Sequence, residues 1–470
     1  MRSVAVKIAG LFTASRDGLS LAAAAGCTAG RVRTRWLKFT GLMCGIVLGA
    51  PFVAPAHAAN INMTATGCQT TFAPSEQLIH VAWGVTTWDT TETPQMVTCT
   101  LPRAPLQFSS ASGGFYVDGD NVNGASTSCT LFSFNRNGDL AGAASFQTSA
   151  PQYDVLLSLA AGQLSDLGHT TLRCLLPAHA GGTLLGVTSL QPLIAASNNF
   201  SVNTSTVACQ PIGAASTDIR HVENGTYTEG TVTGPRMVTC AIPRMPLAFF
   251  ATGSSFLVTG DNRGGATSTC TLTAYQFTGD FVGSSSFTTS AGHYAESLAM
   301  TAAQLPYWAY ASLTCLLPDG ARGDIESVVA FSPAAPAGNI NTNATECQAQ
   351  SWPQDAILHT DQGIATASTT SSDTWVACAV PRSPLAAGVT SGLFYVDGDS
   401  FNGAWTVCSL ASYNYTGEFL GSIGFNNSGQ RYDVPLILPL AQLGTWAYTG
   451  LTCILPAHAN AILRGVASSQ

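Results

Sequence analysis

The sequence predicts an all-β protein built of three tandem, disulfide-stapled antiparallel β-sandwich domains. Three observations carry this prediction: a set of four cysteines recurs three times, apolar residues alternate with period two around those cysteines, and turn residues recur between apolar runs. Helical periodicity is weak along the chain. Each copy is therefore expected to fold as a two-layer sandwich of short strands.

The cysteine spacing defines the copies. Successive cysteines within a copy are 31, 30 and 45 residues apart in all three copies, so only the joints between copies differ in length. The predicted boundaries are 1–58 for a targeting segment and 59–197, 198–336 and 337–470 for copies 1, 2 and 3. Short joints rich in Ala, Ser and Pro predict nearly abutting domains, like beads on a stiff string. The recurring cysteines are Cys68, Cys99, Cys129, Cys174, Cys209, Cys240, Cys270, Cys315, Cys347, Cys378, Cys408 and Cys453.

Four cysteines in a copy allow three pairings. Pairing of neighbours closes the two short loops, and Cys129 and Cys174 both lie among inward-facing apolar residues. We therefore predict bridges from Cys68 to Cys99 and from Cys129 to Cys174, with the same pattern in the other copies. Each bridge should contribute about 3 to 4 kcal/mol by restricting the unfolded chain.

Cysteine usage and the amino-terminal segment predict export. Fourteen cysteines with only 9% charged residues indicate an oxidising compartment. Basic residues precede an apolar run at 39–53, and Ala56-His57-Ala58 supplies a cleavage pattern. A true start near Val32 would leave a signal peptide of ordinary length. The protein is expected in the medium, at the cell surface or in the periplasm, with no transmembrane anchor in the mature chain.

The net negative charge of the chain limits the classes of partner that it can bind. After residue 58 the chain has 11 Arg, no Lys and 25 acidic residues, which argues against nucleic acid. The expected partner is a glycan or a cell-surface protein. No G-x-S-x-G, H-E-x-x-H or phosphate-loop motif is present, so no cofactor and no catalytic residue is predicted.

Several polar residues recur between copies, and each allows two interpretations. Asp118 and Asp120, with Asp397 and Asp399, have the oxygen ligands that calcium prefers, but an Asp/Gly-rich β-turn explains them and no metal is predicted. The arginines at the C-x-[LIV]-P-R motif share a register with Asp120, Asp261 and Asp399, and such Arg–Asp pairs are expected to tie loops to the sandwich or, alternatively, to hold an acidic ligand. The three histidines are interpreted as hydrogen-bonded residues at strand ends. These arginines and histidines are Arg103, Arg244, Arg382, His80, His221 and His359.

Tryptophans divide into two groups. Trp308 and Trp446 share a register and are expected in the core, whereas five others have no tryptophan counterpart in the other copies. The second group is predicted to form exposed surfaces that bind sugars or partner proteins. It comprises Trp83, Trp88, Trp352, Trp375 and Trp405.

The motifs also support a family resemblance. Each copy combines an early CQ, C-x-[LIV]-P-R, a central turn motif followed by C-[TS]-L, and L-x-C-x-L-P. In this the chain resembles a group of uncharacterised exported bacterial proteins with four-cysteine domains, over nearly all of residues 60–467. The resemblance implies secretion and a β-sandwich fold, and no particular chemistry.

Triplication predicts a function class. Linked weak sites can raise avidity by about 10² to 10⁴, whereas a repeated active site gains only by copy number. We therefore expect a non-enzymatic exported protein with multivalent binding. A secreted, glycosidase-like hydrolase whose carboxylates cannot be placed from sequence is the alternative, since such acids have no short signature. A structural spacer is a further alternative.

Overall fold

The computed structural model describes residues 61–71, 77–103, 112–164, 167–190, 199–212, 218–222, 224–245, 252–276, 278–307, 309–333, 340–350, 356–383, 390–414, 416–444 and 447–469. The predicted targeting segment, with its proposed start near Val32, lies outside the described residues. From residue 54 onward the chain forms one compact unit. Its described part contains strands and short 3-10 turns, and no helix there could cross a membrane.

The described strands number eleven in each copy. Those of copy 1 are β1 (Ile61–Thr64), β2 (Gln69–Thr70), β3 (Leu78–Val81), β4 (Gly84–Thr87), β5 (Gln95–Thr100), β6 (Ser112–Asn121), β7 (Thr127–Phe134), β8 (Leu140–Thr148), β9 (Gln152–Ala160), β10 (His169–Leu176) and β11 (Gly182–Leu190). Those of copy 2 are β12 (Asn199–Ser205), β13 (Gln210–Pro211), β14 (Ile219–Val222), β15 (Gly225–Thr228), β16 (Arg236–Ala241), β17 (Gly253–Asn262), β18 (Ser268–Tyr275), β19 (Phe281–Thr289), β20 (His293–Thr301), β21 (Tyr310–Leu317) and β22 (Gly323–Pro333). Those of copy 3 are β23 (Ile340–Asn343), β24 (Gln348–Ala349), β25 (Ile357–Thr360), β26 (Gly363–Thr366), β27 (Thr374–Ala379), β28 (Ser391–Ser400), β29 (Thr406–Tyr413), β30 (Phe419–Asn427), β31 (Arg431–Pro439), β32 (Tyr448–Leu455) and β33 (Ala461–Ser469). The described 3-10 turns are Ala65–Gly67, Ala161–Gln163, Thr206–Ala208, Ala344–Glu346 and Leu440–Gln442.

Each copy contributes one six-stranded and one five-stranded sheet. In copy 1 the six-stranded sheet has the order β3-β4-β11-β6-β9, with β1 also paired to β11, and the five-stranded sheet has the order β2-β5-β10-β7-β8. The same two orders recur in copies 2 and 3. All pairings between these strands are antiparallel. The sequence repeat therefore corresponds to a repeated pair of sheets.

A hydrophobic cluster lies between the two sheets of each copy. In copy 1, Phe115 and Val117 reach it from the six-stranded sheet, and Leu131 and Leu172 reach it from the five-stranded sheet. Alternation of side chains along each strand explains this, because every second residue points inward. The cysteines lie in these clusters and form the predicted pairs, which confirms the predicted connectivity. The pairs are Cys68–Cys99, Cys129–Cys174, Cys209–Cys240, Cys270–Cys315, Cys347–Cys378 and Cys408–Cys453.

The predicted string of three tandem β-sandwich domains is wrong. The six sheets are arranged together as a six-bladed β-propeller, and copy 3 closes on copy 1. The outward side chains explain the error. Thr100 on β5 and Thr188 on β11 point away from the copy's own core, yet both are buried, and their hydroxyls donate to the Ser205 carbonyl of copy 2 and the Tyr448 hydroxyl of copy 3. Their polar identity predicts a solvent-facing surface, whereas the structure uses that surface as a contact between copies.

Three equivalent contacts, which we name seams 1–2, 2–3 and 3–1 after the copies they join, close the ring. At seam 1–2 the main chains of Arg103 and Asn203 exchange two hydrogen bonds of 3.0 and 2.8 Å. Equivalent exchanges join Arg244 to Asn341 and Arg382 to Asn62 at the other two seams. Ile61, Val202 and Ile340 from the first strands of the three copies also meet, with Met245 from the loop after β16, in a small apolar cluster.

Glycines explain two of the sequence motifs. The predicted turns at Gly138, Gly279 and Gly417 are hairpin turns in which these residues have φ of +74°, +77° and +78°. The Asp-Gly-Asp motif is different, because it lies inside strand β6 and the predicted β-turn is wrong. A Cβ atom on Gly119 would lie 2.1 Å from the Tyr153 hydroxyl, so the strand needs glycine to let this ring cross it.

Candidate functional site

The most distinctive exposed surface lies on the five-stranded sheet of copy 3. Trp375 on β27 lies directly opposite Ile454 on β32, which in turn lies opposite Val407 on β29. Trp405 precedes Val407 by two residues, immediately before β29, and is also exposed. We name these four residues the copy-3 patch.

Strand alternation places the patch on the outer face. Val376, Cys408 and Cys453 point into the copy-3 core, so their neighbours along each strand must point outward. Trp405 is 57% exposed and Trp375 is 49% exposed. The two tryptophans therefore flank an apolar row on a surface open to solvent.

Polar side chains border this apolar row. Gln350 donates through Nε2 to the Thr452 hydroxyl at 3.2 Å, and Ser409 and Asn426 are exposed on neighbouring strands. Asp373 lies just before β27, where one of its oxygens accepts the Ala457 amide at 3.1 Å. The surface thus combines aromatic and aliphatic groups with hydroxyl, amide and carboxylate groups that can bind ligand hydroxyls.

Copies 1 and 2 have the apolar row without the tryptophans. Met96 lies opposite Leu175 in copy 1, and Met237 lies opposite Leu316 in copy 2. Serine or threonine occupies the positions of Val407 and Trp405 in both copies. Sequence comparison of the copies therefore identifies copy 3 as the one with an elaborated surface.

The other predicted tryptophans lie elsewhere. Trp83 lies at seam 3–1, where its ring is 5.6 Å from that of Tyr413, and it remains 41% exposed. Trp88 is half-buried, and its main-chain amide donates to the Gln77 carbonyl at 3.0 Å. Trp352, Trp308 and Trp446 lie outside the described residues. Of the tryptophans that the structure describes, Trp375 and Trp405 are therefore the two that lie on neighbouring parts of one sheet.

The aspartates considered for calcium have other partners. Tyr448 of copy 3 donates to Asp118 of copy 1, and Tyr310 of copy 2 donates to Asp397 of copy 3. Asp120 accepts the Thr183 amide at 3.0 Å, and Asp399 forms a buried ion pair with Arg464. Among the described residues no group of three His, Cys, Asp or Glu side chains could hold a metal.

The arginines common to all copies do not bind the aspartates in their register. Arg382 is buried, and its guanidinium donates to main-chain carbonyls of its own copy at 2.6–3.2 Å. Arg244 makes the equivalent contacts in copy 2. The predicted Arg–Asp pair is therefore wrong, and so is the alternative of an acidic ligand, because these guanidinium groups are sealed inside the seams. Their role is structural.

The histidines at the common register are structural as predicted. His80 is buried and its Nδ1 lies 2.8 Å from the Thr66 carbonyl, with His359 in the same arrangement at Thr345. Burial lowers the pKa of His80 to about 4, which the hydrogen bond to Thr66 only partly offsets. The ring therefore stays neutral at physiological pH.

Carboxyl groups do form pairs, which bears on the hydrolase alternative. Asp118 on β6 lies opposite Asp154 on β9, and Asp397 lies opposite Asp433 in copy 3. Burial raises the pKa of Asp118 to about 8, opposed by the Tyr448 hydrogen bond and increased by the nearby Asp154. A general acid must reach the substrate, but Asp118 is only 2% exposed and lies beneath Tyr448. We interpret these pairs as parts of the seams.

The seams were missed by sequence reasoning, although a signal exists. Position 448 and its counterparts read Tyr448, Tyr310 and His169, while position 118 and its counterparts read Asp118, Asp397 and Thr259. Tyrosine matches aspartate only when each copy is compared with the next copy in the ring. This offset is invisible when the copies are simply aligned.

Comparison with known proteins gives no family. No family model matches the chain, and no curated protein matches its sequence. A triple jelly roll protein of a turret assembly in an archaeal virus aligns over 79% of this chain and 80% of that one, at 10% identity and a TM-score of 0.19. The CBM22-1–CBM22-2 tandem domain of Paenibacillus barcinonensis Xyn10C aligns over 58% and 87%, at 10% identity and a TM-score of 0.19. PNGF-II aligns over 88% and 100%, at 9% identity and a TM-score of 0.20. Similarities with TM-scores this low assign neither a fold family nor a function to the chain.

Proposed function

We propose that this chain is an exported, non-enzymatic binding protein whose principal binding surface is the copy-3 patch. One observation carries the proposal: the two described tryptophans that lack a counterpart and share a sheet face, Trp375 and Trp405, flank one exposed apolar row. Exposed aromatic anchors of this kind mark interaction surfaces more often than isolated apolar residues do.

Export is supported by the cysteine chemistry. Six buried disulfides occur in the described residues, and such bridges persist in oxidising compartments. The finer assignment to the medium, cell surface or periplasm, together with cleavage after Ala58, remains part of this proposal. Amino-terminal sequencing of exported protein should find Ala59 first.

Multivalency takes a graded form in this proposal. The three five-stranded sheets present equivalent apolar rows, but only copy 3 adds tryptophans, so one strong site and two weaker ones are expected. Multivalent binding then requires a ligand long or dense enough to reach more than one face.

The proposal is tested on the full exported chain. Trp375→Ala/Trp405→Ala and the matched control Phe281→Ala, which removes an equally exposed aromatic outside the patch, are compared with the parent chain. Arrays of glycans and of surface proteins provide the ligands, and hydrolase substrates are assayed in parallel. Loss of binding in the double variant alone supports the proposal. Binding that survives in the double variant, or turnover of a substrate, contradicts it.

A further inference from the structure

We infer that the copy-3 patch binds an uncharged glycan chain, whose sugar rings stack on Trp375 and Trp405. This inference rests on the proposed function and adds the chemical class of the ligand. Three features support it: the arrangement of the aromatic side chains, the hydrogen bonding of the surrounding strands, and the charges of copy 3.

The aromatic groups suit sugar rings. The face of an indole is electron-rich, and it attracts the weakly positive C–H groups on the apolar face of a pyranose. Trp375 lies on β27, and Trp405 immediately precedes β29 on the other side of β32. Ile454 on β32 lies opposite both Trp375 and Val407, and Val407 follows Trp405 by two residues. A chain of several sugars lying across the strands would contact both rings and the aliphatic floor.

The hydroxyl groups of such a ligand also find partners. Ser409 and Asn426 are exposed beside the row, and Asp373 lies at its outer end with a second carboxylate oxygen beyond the one that accepts the Ala457 amide. Short polar side chains and a carboxylate beside aromatic rings can bind sugar hydroxyls while the rings bind C–H groups.

The main chain argues against an extended peptide as the occupant. A peptide that adds to a sheet needs an open strand edge, but β32 is paired on both sides, to β27 and to β29. The carbonyl of Trp375 already accepts the amide of Gln350 at 2.8 Å. The patch is therefore a sheet face that a ligand contacts through side chains.

The charges of copy 3 argue for a neutral glycan. This copy contains three arginines and no lysine. Arg382 is sealed in seam 3–1, Arg464 pairs with buried Asp399, and Arg431 forms two hydrogen bonds of 3.1 and 3.0 Å with Asp280 of copy 2. No arginine of copy 3 is therefore left to bind the carboxylate or sulfate of an acidic glycan, whereas Asp373 would repel one.

Native affinity electrophoresis tests the inference with the full exported chain. The neutral probes are hydroxyethyl cellulose, xylan and galactomannan, and polygalacturonate and heparin are their acidic counterparts. We expect at least one neutral polysaccharide to retard the parent chain, with at least a tenfold loss of affinity in Trp375→Ala/Trp405→Ala. Trp375→Tyr/Trp405→Tyr should restore part of it, and Phe281→Ala should match the parent.

Copy 2 offers a gain-of-function test in the same chain. Met237 and Thr267 occupy the positions of Trp375 and Trp405 in copy 2. Met237 lies opposite Leu316, which is the counterpart of Ile454. Met237→Trp/Thr267→Trp should convert the weak site of copy 2 into a strong one, raising the number of tightly bound oligosaccharides from one to two per chain in isothermal titration. An unchanged stoichiometry in a folded variant would show that two indoles on this row do not form a site.

The outcomes separate the inference from the proposed function. Tryptophan-dependent binding of only acidic glycans, of peptides or of lipid vesicles overturns the glycan inference and leaves the binding function standing. Absence of tryptophan-dependent binding to every probe overturns both. Binding of neutral glycans that persists in the double alanine variant overturns the assignment to this patch.

Discussion

Seams 3–1 and 1–2 share one backbone joint and differ in their chemistry. At seam 3–1, Tyr448 donates to the buried carboxyl of Asp118. At seam 1–2 the same two positions hold His169 and Thr259, and neither ring nitrogen of His169 has a hydrogen-bond partner among the described residues. The histidine instead stacks on Phe134 with ring centroids 5.0 Å apart. The Arg–Asn joint is therefore common to the seams, while the buried side-chain pair decides how each seam responds to mutation and pH.

The largest effect should come from the shared joint. Arg382→Met removes a buried charged donor from the carbonyls of Ala447 and Gly444, and we expect a loss of about 3 to 5 kcal/mol because several buried acceptors lose their partner together. Arg103→Met at seam 1–2 should cost a similar amount. Urea unfolding of the oxidised chain measures both. A loss below about 1 kcal/mol in either variant would show that the seams do not depend on this residue.

The pH response should separate the two seams. The pKa of Asp118 in the folded chain is about 8, above its ordinary value of 3.8. The stabilisation that this carboxyl gives the folded state is therefore fully present below about pH 4 and is lost as the pH rises to about 8. Asp118→Asn should therefore reduce the fall in unfolding free energy between pH 5 and pH 8 by on the order of 3 kcal/mol. Unchanged pH dependence in this variant would contradict the buried protonated carboxyl.

His169 should act in the opposite direction. Burial, with a smaller effect of the Arg103 charge, lowers its pKa to about 3. The ring stays neutral in the folded chain while the unfolded ring takes up a proton below about pH 6.5, so stability is lost as the pH falls towards 3. His169→Phe should lessen that loss between pH 7 and pH 4, as measured by urea unfolding at both values. Asp118→Asn is the control, since it should leave the histidine's response in place.

Side-chain deletions at neutral pH should show a smaller contrast. Tyr448→Phe removes the donor to a buried carboxyl and should cost about 1 to 3 kcal/mol. His169→Phe removes two unpartnered nitrogens and keeps a ring beside Phe134, so its effect should be close to zero. Unfolding midpoints of the two variants test the contrast. Equal costs would show that the two seams are held in the same way.

The exposed ion pair between Arg431 and Asp280 should matter least for stability. It lies across seam 2–3, where water and salt screen the attraction. Arg431→Gln should unfold at the same urea concentration as the parent chain in 0.5 M salt. A lower unfolding midpoint of the variant under those conditions would mean that the Arg431–Asp280 pair contributes to closure of the ring.

Much of the local structure was predictable because it depends on short-range rules. The loops closed by Cys68–Cys99 and Cys129–Cys174 follow from spacing and from inward-facing neighbours, and the hairpin at Gly138 follows from a turn that needs positive φ. The exposure of Trp375 and Trp405 was expected from their lack of counterparts. That they share one face was not, because the residue that joins them, Ile454, is distant in sequence.

By itself, the sequence determined an all-β chain with a three-times repeated unit and its cysteine partners, and it predicted an oxidising compartment, with which the disulfides are consistent. Period-two alternation, cysteine spacing and charge content are local properties that can be read along one strand or loop. Only the tertiary structure decided that the units close into a ring of six sheets. Closure buries a second sheet face made of residues such as Thr100, Thr188 and Asp118, whose polar identity predicts exposure until a neighbouring copy supplies their partners.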